Sequence, residues 1–162
     1  MIRAALVSAL VAVSAPAHAA DWVLGFGTTD FSAKGAVDSG LLVAELHGRA
    51  FNPGHRLAFK PGLAAVVDLH GDLWIRAGIQ AELPFGQSAW FAEASVMPGF
   101  YDDALKNNDL GSAFEIRSLV GIGYGLAGGT RVSLAINHKS NAGIGSHNAG
   151  VNAVTMRFGR SF

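Results

Sequence analysis

His138 and Ser140 stand two residues apart in the segment Arg131-Val132-Ser133-Leu134-Ala135-Ile136-Asn137-His138-Lys139-Ser140. An imidazole can take a proton, and a hydroxyl relieved of its proton can attack an electrophilic carbon, the division of labour of nucleophilic catalysis. The segment alternates with period two: Val132, Leu134 and Ile136 on one face, Arg131, Ser133, Asn137 and Lys139 on the other. That is the pattern of a strand with one apolar and one polar side. His138 and Ser140 fall on the apolar side, where further Val or Leu would continue the stripe. Side chains at i and i+2 share a face, so the two groups can approach hydrogen-bond distance.

The rest of the chain supplies elements of the same kind. Trp22, Leu24 and Phe26 alternate with Val23, Gly25 and Gly27 in a first strand, followed by a long loop over residues 28–40. The second strand sets Leu42, Ala44, Leu46 and Ala50 against Glu45, His47 and Arg49. Asn52-Pro53-Gly54 is a tight turn. Residues 57–67 form the third strand, in which Pro61 predicts a bulge or irregular pairing. A turn at His70-Gly71-Asp72 leads to a fourth, with Leu73, Ile75, Ala77, Ile79, Ala81 and Leu83 opposite Arg76, Gln80 and Glu82. In the fifth, Trp90, Ala92, Ala94 and Val96 oppose Phe91, Glu93 and Ser95; a polar loop over residues 98–111 follows. The sixth sets Phe114, Ile116, Val120 and Ile122 against Glu115, Arg117, Gly121 and Gly123. After the His138 strand and a loop at 141–150, the eighth sets Val154, Met156, Phe158 and Phe162 against Ala153, Thr155, Arg157 and Gly159.

Composition narrows the class. Arg3, the apolar residues 4–13 and Ala17-His18-Ala19 read as a secretory signal peptide over residues 1–19, cleaved after Ala19 to leave one domain over residues 20–162. Removing Arg3 leaves 11 Lys+Arg against 12 Asp+Glu, a net charge of about −1, with no basic excess for nucleic acid. There is no cysteine, which excludes disulfides and thiolate sites. The six histidines show no metal-ligand spacing. Charged residues are only 15% and mean hydropathy is +0.31. Yet beyond the signal no apolar run approaches the ~20 residues of a spanning helix. Two architectures fit: a soluble β-barrel with its apolar face inward, or a transmembrane barrel with its apolar face outward. Eight strands of about ten residues, the low charge, the signal and Phe162 on the apolar face point to the second. Glu45, Arg49, Arg76, Glu82, Glu93, Glu115, Arg117 and Arg157 would then fill a narrow lumen and must pair there. An even strand number places both termini in the periplasm and the loop at 141–150 outside the cell. His138 and Ser140 would face lipid, or the headgroups just above it.

The run His138-Lys139-Ser140-Asn141-Ala142-Gly143, with the closing strand over residues 150–162, resembles the lipid A 3-O-deacylase (PagL-like) family. So do Phe114-Glu115-Ile116-Arg117-Ser118, Gly121-Ile122-Gly123-Tyr124 and Leu42-Val43-Ala44-Glu45-Leu46-His47-Gly48. The resemblance covers most of the mature chain, and the H-x-S-N-A run is its one sharp motif. It implies an all-β, eight-stranded antiparallel outer-membrane barrel, needing no cofactor, that hydrolyses the ester-linked 3-hydroxyacyl chain at position 3 of lipid A. Lipid A in the outer leaflet is the implied partner, and a homodimer is left open. The family's nucleophile maps onto Ser140 and its base onto His138. Its oxyanion group maps onto Asn141, helped by a backbone N–H of the Ala142-Gly143 turn. The family's orienting glutamate maps onto Asn152, an amide. No carboxylate lies between His138 and Phe162, so an acid must come from elsewhere; Asp30, Asp102, Asp103 and Asp109 are the loop candidates. Two rival readings stand beside the enzyme. One is a silent barrel that binds lipid A, favoured by Asn152. The other is an OmpX-like structural or adhesion barrel in which His138 and Ser140 are incidental.

Overall fold

The computed structural model describes residues 19–161; most of the expected signal peptide, and Phe162, lie outside them. Eight strands follow in order: β1 (Ala19–Phe31), β2 (Gly40–Gly48), β3 (Ala58–Asp68), β4 (Leu73–Pro84), β5 (Trp90–Asp102), β6 (Phe114–Gly125), β7 (Thr130–Ser140) and β8 (Val151–Ser161). Each pairs antiparallel with the next, and β8 pairs with β1, so the sheet closes into a barrel. Closure gives every strand a partner on both sides, the condition for a sheet to cross hydrocarbon. Two short 3₁₀ turns, Lys106–Asn108 and Ala127–Gly129, are the remaining regular elements among the described residues.

The faces sort as a membrane barrel requires. Leu24, Phe26, Leu42, Leu63, Val96, Val120, Leu134, Ile136 and Met156 are exposed on the outside. Phe26 stacks on Phe158 there, and Trp90 meets Tyr124 edge to face at 5.1 Å. Inside, Glu45 is the hub: Arg117 reaches its Oε1 at 2.8 Å, Arg157 forks onto both oxygens at 3.1 and 3.0 Å, and His47 Nε2 lies 3.0 Å from Oε2. Glu93 takes bonds from Gln80 and Ser133 and pairs with Arg157. Nearer the termini, Arg131 forks onto Glu82, and Lys60 bridges Asp21 and Glu82. Buried charges survive only when paired and hydrogen-bonded, and most of the lumen charges meet that condition. Gly123 makes room in the lumen for the Phe91 ring, which carries Arg131 on its face at 4.8 Å.

At the opposite end the lumen turns apolar: Phe31, Leu41, Val43, Val66, Trp74, Tyr101, Leu110, Val151 and Ala153 form one cluster. The connections 32–39, 69–72, 103–113 and 141–150 close over it. Asp72 accepts from Ala104 N and Asn108 Nδ2, and Asn108 Oδ1 in turn holds Val37 N at 2.9 Å.

Two expectations are corrected, and a third is met in part. β1 runs on through Thr28 to Phe31, because Thr29 and Phe31 keep the inward phase and pair with β8. β5 runs through Pro98 to Asp102; the proline faces outward and its pairing with β6 is intact, and only the β4 ladder skips positions beside it. Of the two outcomes expected at Pro61 the bulge is absent, since β3 stays in register with β4, and the irregular pairing lies on the other side, where the ladder with β2 ends at Gly62 next to the proline. Asp30 and Asp102 are therefore strand residues, not loop residues.

Candidate active site

β7 and β8 set the site. Their register makes His138 and Asn152 cross-strand partners, both on the outward face. His138 Nδ1 lies 2.9 Å from Asn152 Oδ1. An amide oxygen only accepts, so this bond makes Nδ1 the protonated nitrogen and leaves the Nε2 lone pair free to act as a base. Ser140 ends β7 on the same outward face and pairs with Ile116 of β6. Among the described residues its hydroxyl has no hydrogen bond, so base and candidate nucleophile share a face without being joined here. Hydrogen bonds of this kind are often loose until substrate binds.

Lys139, between them in sequence, points the other way and anchors the strand. Its ammonium lies 3.1 Å from the centre of the Trp74 ring and 3.9 Å from that of Tyr101, two rings that stack at 4.8 Å. A desolvated cation over an aromatic face is worth about 2 kcal/mol. With Lys139 held inward, the alternation of the strand holds His138 and Ser140 outward.

Asn141 also belongs to the inside. It is fully buried, and its amide nitrogen donates to the carbonyls of Leu110 at 2.8 Å and His147 at 2.7 Å. Its Oδ1 accepts the Gly143 N–H at 2.9 Å, and its own N–H goes to Asn148 Oδ1. The carboxamide thus staples the 141–150 loop to the 103–113 loop. The structure does not bring it beside Ser140 on the outer face. Ala142, at φ 56°, is exposed in this turn, and its N–H has no partner among the described residues. Of the acids that the sequence offered, Asp109 takes the Gly111 N–H, and the bond the His138 ring makes is to Asn152 rather than to an acid.

Gly150 was not singled out in the sequence. It has φ 68°, and a Cβ there would lie 3.1 Å from His138 Cε1, so the absence of a side chain makes room for the imidazole. Its carbonyl accepts the Ser32 N–H at 3.2 Å, which fixes it beside the ring. The signal was a glycine directly before a strand, the place where a left-handed residue enters. Among the described residues no group of three His, Asp or Glu is placed to hold a metal ion.

Comparison with known proteins identifies the scaffold. The crystal structure of the outer membrane enzyme PagL superposes with a TM-score of 0.74 at 18% identity, over 88% of this chain and 100% of that one. Neisserial surface protein A gives 0.59 at 12% identity, over 88% and 97%. A de novo designed transmembrane β-barrel gives 0.57 at 7%, over 91% and 98%. At these identities the likenesses speak for the fold alone, a closed eight-stranded β-barrel. No curated protein sequence matches the chain. The model of the lipid A 3-O-deacylase (PagL) family matches residues 25–161, nearly the whole described barrel, and the chain belongs to that family.

Proposed function

We propose that the chain hydrolyses the ester-linked 3-hydroxyacyl chain at position 3 of lipid A, with Ser140 as nucleophile and His138 as base on the lipid-facing wall. Residues 1–19 serve as the export signal, the termini face the periplasm, and the loop rim meets the outer leaflet where lipid A lies. The observation that carries the reading is the His138 Nδ1–Asn152 Oδ1 bond, which sets the tautomer a base needs on a face turned to lipid. His138 Nε2 takes the Ser140 proton as Oγ attacks the ester carbonyl carbon. Negative charge gathers on the carbonyl oxygen; the Asn141 N–H is taken by Asn148, so the Ala142 N–H, in the turn that Asn141 and Gly143 hold, is the next donor along the chain to receive it. The bond from the acyl carbon to the sugar oxygen then breaks, and the proton on Nε2 passes to that oxygen. Water, deprotonated by His138, releases the fatty acid from Ser140. One chain contains every residue used, so homodimerisation is not required.

Mass spectrometry of lipid A from cells expressing the wild type, Ser140→Ala and His138→Ala tests this. The wild type removes one 3-hydroxyacyl chain, and both variants remove none while still inserting into the outer membrane. Cleavage by Ser140→Ala overturns the assignment. The second reading, a silent lipid A-binding barrel, is favoured by the amide at position 152; it predicts intact lipid A from all three, with lipid A retained on the purified protein.

A further inference from the structure

Four polar side chains lie in one row across the outer wall: Ser118 on β6, His138 on β7, Asn152 on β8 and Asp30 on β1. Each is the register partner of the next. The row below it, towards the middle of the barrel, is Val120, Ile136, Val154 and Thr28, so the polar row marks the edge of the apolar belt. Asp30 is its one carboxylate. Its backbone is fixed from both sides: Thr29 exchanges bonds with Ser39, and Phe31 N donates to Asp38 Oδ1 at 2.8 Å. The Asp30 carboxylate itself has no hydrogen-bond or ion-pair partner among the described residues.

Directly opposed cross-strand residues have Cβ atoms about 4.5–5.5 Å apart, within reach of a carboxylate and a carboxamide. Asp30 and His138 are two strands apart, roughly 9.6 Å, too far for direct contact. Asn152 lies between them with its oxygen on His138 and its NH₂ end without a partner among the described residues. We propose that Asp30 accepts a hydrogen bond from Asn152 Nδ2 and so supplies, through that amide, the orienting charge that position 152 itself lacks. The proposal rests on the roles of Ser140 and His138 given above.

An amide alone is an ambiguous orienter. Turned over, Asn152 would present NH₂ to Nδ1 and force the proton onto Nε2, the tautomer that cannot act as a base. A carboxylate on the far side removes the ambiguity, because it accepts from NH₂ and repels the amide oxygen. It also polarises the amide against the positive ring formed when His138 takes the serine proton. Asp30 is thus a positioning residue that acts through Asn152.

Steady-state turnover of lipid A in detergent micelles, on wild type, Asp30→Asn, Asp30→Glu, Asn152→Glu and the Asp30→Asn/Asn152→Glu pair, tests it. Asp30→Asn lowers kcat about tenfold with KM unchanged, within the range of coupling between contacting groups. Asp30→Glu keeps more of the wild-type kcat than Asp30→Asn does. In the Asn152→Glu background, where the charge already sits on the histidine, Asp30→Asn costs nothing. An equal loss in both backgrounds, or a higher KM at unchanged kcat as expected of a cation or headgroup contact, overturns the proposal. A second readout needs no turnover: in folded Ser140→Ala protein the Asn152 side-chain amide proton bonded to the carboxylate resonates downfield and moves upfield on Asp30→Asn. An unmoved resonance also overturns the proposal, whereas cleavage by Ser140→Ala sinks the Ser140 reading and leaves the resonance test standing.

Discussion

Gly150 packs against His138 so closely that a Cβ there would stand 3.1 Å from the ring's Cε1, a contact the ring could relieve only by giving a few tenths of an ångström. Gly150 is the last residue of the 141–150 loop, directly before β8, and His138 lies two residues from the end of the neighbouring β7. The glycine therefore decides where the imidazole can stand. Its left-handed φ of 68° lets β8 start in phase with Asn152 facing outward.

Gly150→Ala should hurt catalysis more than folding. A non-glycine residue at this φ costs about 1–3 kcal/mol, which a closed eight-stranded barrel can absorb. The added methyl forces the ring to give by a few tenths of an ångström beside Asn152, and displacement of a reacting group by a full ångström can cost on the order of 10²-fold in rate. The check is lipid A turnover alongside the urea midpoint of the micelle-folded protein. Turnover should fall by up to about 10-fold while the protein remains folded at 25 °C.

Asn152 makes the sharpest prediction in both directions. Asn152→Leu removes the acceptor, leaves the tautomer of His138 unset, and should cut kcat with little change in KM, because the loss falls on the transition state. Asn152→Glu should raise kcat; the acid-to-amide exchange in a serine triad, worth about 10⁴, is the ceiling on that gain. Since Asn152 is on the outer wall and contributes no lumen contact, neither change should move the unfolding midpoint by more than about 0.5 kcal/mol in stability. A kcat lowered by Asn152→Glu would show that the amide orients the ring in a way a carboxylate does not.

Most of the barrel was legible because a strand between lipid and lumen must alternate, and Leu134-Ala135-Ile136 or Val154-Thr155-Met156 can be read residue by residue. Strand ends were less legible. Thr29 and Phe31 carry the inward phase of β1, but Thr28-Thr29-Asp30 looks polar enough for a loop, since a wall that rises above hydrocarbon no longer needs apolar side chains outside. Pro98 misled for a different reason: an imino residue costs one ladder bond, and β5 gives up that bond towards β4 while keeping its pairing with β6. At the site, His138 and Ser140 were visible as breaches of an apolar stripe. The inward turn of Asn141 was not, because its partners, the carbonyls of Leu110 and His147, come from two different loops. The alignment of Asp30 with Asn152 depends on the closure of β8 on β1, a contact between the two ends of the chain that no local pattern reports.

Glu45 should be the residue whose loss the barrel tolerates least. It takes bonds from Arg117, Arg157 and His47, so Glu45→Ala leaves two guanidinium groups facing each other in a sealed lumen with their shared counter-charge gone. Removing one partner from a buried ion cluster costs about 3–5 kcal/mol, most of it the desolvation of what remains. Glu45→Gln keeps the shape and one acceptor oxygen and should fall between the alanine variant and the wild type. Urea unfolding in micelles measures the order. The site lies on the outer wall near the loop rim, while Glu45 lies in the ionic lumen nearer the middle of β2, so turnover per folded molecule should be nearly unchanged in either variant. A Glu45→Gln protein of wild-type stability but lowered turnover would instead mean that the lumen charge couples to His138 through the wall, and that β7 answers to both faces at once.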